Sequence, residues 1–165
     1  MFTRATAAMV LTAGLALAAL ADGVLAQNAP QAPAAAGGRR DPATSAAFAG
    51  RYRCIWTSPD GFVFECELQL RSGGTTDLEG RVQWTLERAG RPELAAKVGK
   101  SGAELVRGAV VSPGVAELKG YDKNDPENVR GLAEYRLELS GSARWLVGEV
   151  GAGSKLDSHF VAIRY

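Results

Sequence analysis

From Phe62 to Leu70 the chain alternates: Phe62, Phe64, Cys66, Leu68 and Leu70 are apolar, and the residues between them are mostly polar. Successive side chains of an extended strand point to opposite faces, so this pattern marks a strand with one face buried. Leu78–Glu87 and Tyr135–Leu139 alternate in the same way. Further strands are expected over 50–57, 104–111, 115–121, 144–150 and 158–165. Turn chemistry separates them at Ser58-Pro59-Asp60-Gly61, Ser72-Gly73-Gly74, Ser112-Pro113-Gly114 and Ser140-Gly141-Ser142. Segment 93–98 follows Pro92 and fits either a short helix or a weak strand. The sum is an all-β domain of eight or nine short strands. Its connections are mostly short, so it reads as a small antiparallel up-and-down barrel, with a β-sandwich as the alternative. The glycines favour the barrel. Gly80, Gly108, Gly120, Gly131 and Gly148 fall within strand patterns. A glycine there weakens a strand unless the sheet must bend or another group must come close. Closing a small barrel requires that bending.

The first hairpin can be derived residue by residue. Ser58-Pro59-Asp60-Gly61-Phe62 suits a three-residue loop, with Pro59 and Asp60 in the turn and Gly61 in the left-handed bulge position. Ser58 then faces Phe62, and outward from there Trp56 faces Phe64, Cys54 faces Cys66 and Tyr52 faces Leu68. On the other face Arg53 meets Glu67 and Ile55 meets Glu65. Aromatics and cysteines share one side and an opposite-charge pair the other. Directly opposed cysteines in an oxidising compartment form a disulfide, so Cys54 and Cys66 are expected to be bonded.

The compartment follows from the first residues. Arg4 precedes an uncharged run from Ala5 to Ala21, and Val24 and Ala26 are the small residues that a signal peptidase reads. Residues 1–26 are expected to be a signal peptide, because a membrane anchor needs about 20 apolar residues and this run is short and alanine-rich. Residues 27–47, rich in Ala, Pro, Gln and Gly, read as a flexible tether. Residues 48–165 form the all-β domain. The mature chain is expected in a periplasm or outside the cell, without stable membrane insertion.

Composition excludes several kinds of chemistry. Lysine plus arginine number 19 against 18 acidic residues, too balanced for a nucleic-acid binder. A single histidine, His159, and two cysteines leave no material for a triad or a zinc centre. The acidic stretch from Tyr121 to Asn128 lacks the spacing of a calcium loop, and a hydrolase built on two carboxylates usually needs a larger cleft. No cofactor, metal or catalytic residue is expected. The aromatics Tyr52, Trp56, Phe62, Phe64, Trp84, Tyr135, Trp145 and Phe160 are expected to fill the core rather than line a cavity.

Tyr52-Arg53-Cys54 and Lys100-Ser101-Gly102-Ala103 are similar, over this handful of residues, to periplasmic lysozyme inhibitors of the membrane-bound or c-type class. That resemblance implies a small antiparallel barrel with a disulfide. It departs from the pattern at Glu104-Leu105, where an aromatic is expected. The functional expectation is an exported, non-enzymatic module that binds an exported or foreign protein, in one form as an inhibitor of a hydrolase. The alternatives are a small-ligand carrier of lipocalin type and, third, a hydrolase. A cavity would favour the carrier; a filled interior with ordered long loops would favour the protein binder.

Binding residues concentrate on loops held by a rigid scaffold. If 93–98 is a strand, 72–77, 99–103, 122–128 and 151–157 share one end with the incoming tether. Ser101, Asp122, Asp125 and Lys155 are the candidate binding residues there. If 93–98 is a helix, every later turn changes ends.

Overall fold

The computed structural model describes residues 41–153 and 155–165. The expected signal peptide and the tether as far as residue 40 lie outside the described residues. Eight antiparallel strands close into a barrel: β1 (Gly50–Thr57), β2 (Val63–Ser72), β3 (Asp77–Arg88), β4 (Ser101–Ser112), β5 (Val115–Asn124), β6 (Glu134–Leu139), β7 (Trp145–Ala152) and β8 (Lys155–Arg164). Each pairs with its neighbours in sequence, and β8 returns to β1 with Tyr52 opposite Arg164 and Trp56 opposite Phe160.

The first hairpin has the register that its loop length dictates. Cys54 faces Cys66, Trp56 faces Phe64, Tyr52 faces Leu68, and Arg53 faces Glu67. Gly61 sits at φ +85°, the left-handed value the bulge needs. The Ser58 amide donates to the Phe62 carbonyl at 3.0 Å, and the Phe62 amide to the Ser58 hydroxyl at 3.1 Å. The Cys54–Cys66 disulfide is formed, with the two Cα atoms 4.8 Å apart.

Closure depends on missing side chains. A Cβ on Gly108 would overlap the Glu117 carbonyl, and one on Gly148 the Arg136 carbonyl, so neighbouring strands pass closer there than any side chain permits. Gly102 makes room for the Trp84 ring in the same way. Gly131 does not belong to this set. It lies in the β5–β6 loop with nothing within 4 Å of a Cβ.

The interior is filled. Tyr52, Trp56, Phe64, Trp84, Tyr135 and Phe160 are buried in one cluster with the strand leucines and valines. Trp56 stacks on Phe64 with ring centroids 4.6 Å apart, and Phe64 meets Trp84 edge-on at 5.7 Å. Phe62 packs at the margin of this cluster, but Trp145 does not join it: it stands on the outer wall, 42% exposed.

Segment 93–98 is not a strand. Pro92–Lys97 forms a 3₁₀ helix in the β3–β4 connection, with Pro92 at its start, where the missing N–H goes unused. The strands therefore number eight, and the later turns change ends. One end of the barrel, the loop end, carries the 58–62, 89–100 and 125–133 connections and the β7–β8 turn. The other carries 73–76, 113–114 and 140–144 together with the entry of the chain. The arrangement conditional on a strand at 93–98 therefore does not apply: the chain enters β1 at the end opposite the long loops.

The packed residues also begin before 48. A short helix, α1 (Ser45–Phe48), lies across the entry end with Ala47 and Phe48 fully buried. The Ser45 amide donates to the Thr75 carbonyl at 2.8 Å. Tyr52 donates its hydroxyl proton to the Phe48 carbonyl at 2.7 Å, and Arg164 reaches the Ala47 carbonyl at 2.5 Å with its guanidinium over the Tyr52 ring.

Two glycine substitutions separate closure from loop effects. Gly108→Val should destabilise the barrel by about 1–3 kcal/mol through overpacking. Gly131→Ala should stay within about 0.5 kcal/mol of the parent. Denaturant unfolding of both variants checks this, and equal losses would contradict it.

Candidate functional site

The loop end of the barrel is closed by a side chain from the β5–β6 loop. Arg130 turns inward, its side chain 8% exposed, and lays its guanidinium over Trp56 at 3.7 Å from the ring centroid. Phe64 and Trp84 lie at 5.8 and 5.9 Å from the same carbon. A desolvated cation on an aromatic face contributes about 2 kcal/mol. Glu104, 2% exposed on β4, supplies the counter-charge at 3.4 Å. Its carboxylate also accepts the Tyr135 hydroxyl proton and, at 3.1 Å, the Ala133 amide. Burial pushes the Tyr135 phenol well above its ordinary pKa, and the Glu104 carboxylate adds to that rise, so Tyr135 stays a proton donor. Gly120 leaves the space that the Glu104 carboxylate occupies. Two donors in this cluster have no acceptor among the described residues: Nε1 of Trp56 and Nη1 of Arg130.

The loop itself is tied at many points. Asp125 accepts the Val129 and Arg130 amides at 3.0 Å each, which holds Arg130 in its inward path. Lys123 donates to the Arg130 carbonyl at 2.7 Å, and Lys97 donates to the Glu127 carbonyl at 2.8 Å. Asn128 takes a left-handed φ of 47° at the bend, a conformation its short amide side chain tolerates.

All four candidate binding residues lie at the loop end, but at different points of the rim. Asp125 is a buried anchor whose carboxylate is used by its own loop. Ser101 opens β4 and shares a 2.8 Å hydrogen bond with the Thr85 hydroxyl. Asp122 is exposed near the end of β5. Lys155 pairs with Asp157 at 3.0 Å and is largely in solvent. His159 stands on the outer wall, opposite Thr57 on β1 and Glu149 on β7. Among the described residues no group of three or more His, Cys, Asp or Glu side chains is gathered as a metal would require, and no helix is long and apolar enough to cross a membrane.

The sequence reading missed Arg130 and Glu104. Glu104 carried a signal: it falls in phase with Val106, Gly108 and Val110, a charge on the inward column of a strand.

A second feature lies on the outside. Across β6, β7, β8, β1 and β2 the residues Glu138, Val147, Val161, Ile55 and Glu65 stand side by side in register. In the next row Trp145 faces Ile163, which faces Arg53. Ile55, Trp145, Val147 and Val161 are all exposed. A shallow groove of about 650 Å³ runs along this wall past Trp145, Ile163, Ile55 and the disulfide.

Comparison with known proteins adds the architecture. No protein-family model matches the chain, and no curated protein sequence matches it. Among solved structures it is similar to designed β-barrels. One is a de novo designed fluorescence-activating barrel, 14% identical at a TM-score of 0.52, covering 73% of this chain and 96% of that one. Another is the redesigned barrel mFAP1 bound to DFHBI, 12% identical at a TM-score of 0.55, covering 74% and 99%. A third is an mFAP2b barrel, also bound to DFHBI, 10% identical at a TM-score of 0.56, covering 76% and 100%. At these identities the likeness establishes the fold, a closed antiparallel barrel.

Asp125 generates a pH-dependent expectation. Burial alone would raise its pKa, but the Arg130 and Val129 amides and Lys123 outweigh that and hold it below the ordinary carboxylate value of 3.8. A group with a depressed folded pKa stabilises the fold above its unfolded pKa, and that contribution is lost as the pH falls through the folded value. Asp125→Asn should therefore cost about 1–3 kcal/mol at neutral pH by orphaning an amide and removing the charge. The gap to the parent should narrow below about pH 4. Unfolding curves at pH 7 and pH 3 check this, and a gap independent of pH would contradict it.

Proposed function

We propose that this chain is an exported, non-enzymatic binding module that docks a protein partner on the outer wall of β7, β8 and β1. The observation that carries the reading is the two-row apolar field of Val147, Val161, Ile55, Trp145 and Ile163. Contiguous apolar surface with a polar rim marks an interaction site, and an exposed tryptophan is a frequent energetic anchor of one. The central row ends on Glu138 and Glu65, and neither has an ion-pair partner within the chain among the described residues. The central row thus favours a partner that sets lysine or arginine against Glu138 and Glu65, while Arg53, which ends the next row, favours a carboxylate there. The filled interior and the tied 125–133 loop support a surface binder over a cargo carrier. The disulfide is compatible with export, so the partner is an exported or foreign protein, a hydrolase included.

A second reading, a small-ligand carrier, is supported by the two buried N–H groups without acceptors at the loop end. It is supported also by the barrels the chain resembles, three of which are bound to DFHBI.

The test of the docking reading is a pair of wall variants, Val161→Asp and Trp145→Asp. Proteins from the periplasm or medium that the parent captures should be lost by both variants while their thermal midpoints stay near the parent's. Calorimetry with a captured partner should then show affinity falling by about tenfold or more, equivalent to ~1.4 kcal/mol. Capture and affinity unaltered in both variants would rule the wall out.

A further inference from the structure

We propose that the groove on the outer wall holds an extended segment of the partner protein, with two apolar residues and then a lysine or arginine at alternate positions. This rests on the docking reading and adds what the partner presents there.

The groove, about 650 Å³, crosses the strands instead of following one. Its sides are two rows in register. Trp145, Ile163, Arg53, Glu67 and Gln83 form one, and Val161, Ile55, Glu65 and Thr85 the other. The chemistry changes along it. From β7 to β1 the lining is apolar apart from Arg53, and on β2 and β3 it is polar.

The charges in the groove differ in how far they are already used. Glu67 accepts Arg51 at 2.8 Å and Gln69 at 2.7 Å. The Arg53 guanidinium lies over the Tyr165 ring, 5.2 Å from its centroid, and Tyr165 belongs to the next row, its amide bonded to the Arg51 carbonyl. Glu65 is exposed and, among the described residues, forms no hydrogen bond or ion pair. It is the charge that a partner can still engage, and it calls for a cation. Glu138, at the other end of its row, lies outside the groove.

An extended chain matches this series of sites. Its residues i, i+2 and i+4 point to one face, and at a rise of about 3.4 Å per residue i and i+4 are about 14 Å apart. Trp145 and Glu65 stand on strands three intervals apart, also about 14 Å at ~4.8 Å per interval. Residue i then covers Trp145, i+2 sits over Val161 and Ile55, and i+4 carries its positive charge to Glu65. The groove is shallow, so the backbone of the segment stays hydrated on its outer side. Other occupants match less of the lining. An alkyl chain meets apolar side chains only as far as β1, two intervals or about 10 Å. A sugar would set hydroxyls against Ile163, Val161 and Ile55, which offer them no hydrogen-bond partner.

The experiment titrates the exported chain with capped peptides and follows the indole N–H resonance of Trp145, assigned by its disappearance in Trp145→Phe. The probes are Ser-Leu-Thr-Leu-Thr-Lys-Ser, Ser-Leu-Thr-Leu-Thr-Glu-Ser and Ser-Leu-Thr-Lys-Thr-Leu-Ser, which moves the lysine between the leucines. A strand can lie either way, so the first two are also made in reverse order. The expected result is a saturable shift with the lysine peptide in one direction. The glutamate and rearranged peptides should bind about threefold to fivefold more weakly, the loss of one exposed ion pair. Glu65→Lys should invert the preference between lysine and glutamate. Equal affinity for the lysine and glutamate peptides, or no saturable shift with any of them, would overturn the proposal; so would a preference that Glu65→Lys leaves in place. If that variant fails to fold by circular dichroism, the titrations of the parent decide alone. Should the peptides fail while Val161→Asp and Trp145→Asp still abolish binding of a captured partner, the docking reading stands and the extended segment alone falls.

Discussion

Everything in this domain depends on β8 pairing with β1. A row of strands left open exposes two edges and an apolar face; closing it satisfies the backbone and hides that face in one step. The closed sheet brings strands together where side chains are missing, as at Gly108 and Gly148, whose neighbours' carbonyls occupy the space of a Cβ. Once closed, the tube must be filled and its two ends sealed. Each seal uses an arginine lying on an aromatic ring. At the entry end Arg164 covers Tyr52 beside α1, and at the loop end Arg130 covers Trp56.

Much of this was legible because it is local. Hairpin register follows from turn length and a two-residue period, so Cys54 could be set opposite Cys66 without knowledge of the rest of the chain. The strand glycines pointed to closure for the same reason. The segment after Pro92 was ambiguous because Glu93-Leu94-Ala95-Ala96-Lys97-Val98 has neither clean alternation nor the length of a stable helix. The alternation places the start of β4 at 104 rather than 101, because Gly102 and Ala103 break it, although the Trp84 ring lies against Gly102.

The sites were harder to read, since they depend on contacts between distant residues. Arg130 sits in a polar loop of a kind that normally faces water, and only the bend held by Asp125 sends it inward. Trp145 is the opposite case. An aromatic in a strand reads as core, but its phase with Val147 places it outside, beside Val161 and Ile55. The first error conceals a polar cluster inside the barrel and the second an apolar field on its wall. Those are the two places where the pattern of apolar inside and polar outside is inverted, and docking is proposed at the second.

The claim that closure supports all the rest is most directly tested by amide hydrogen exchange, residue by residue, on the folded chain. Amides of the β1–β8 ladder, such as Ile55 and Ile163, should exchange only through global unfolding, at the same free energy as those in the centre of the β3–β4 ladder. A β1–β8 ladder that exchanges at a much lower free energy than β3–β4 would mean an open sheet, and would contradict the account.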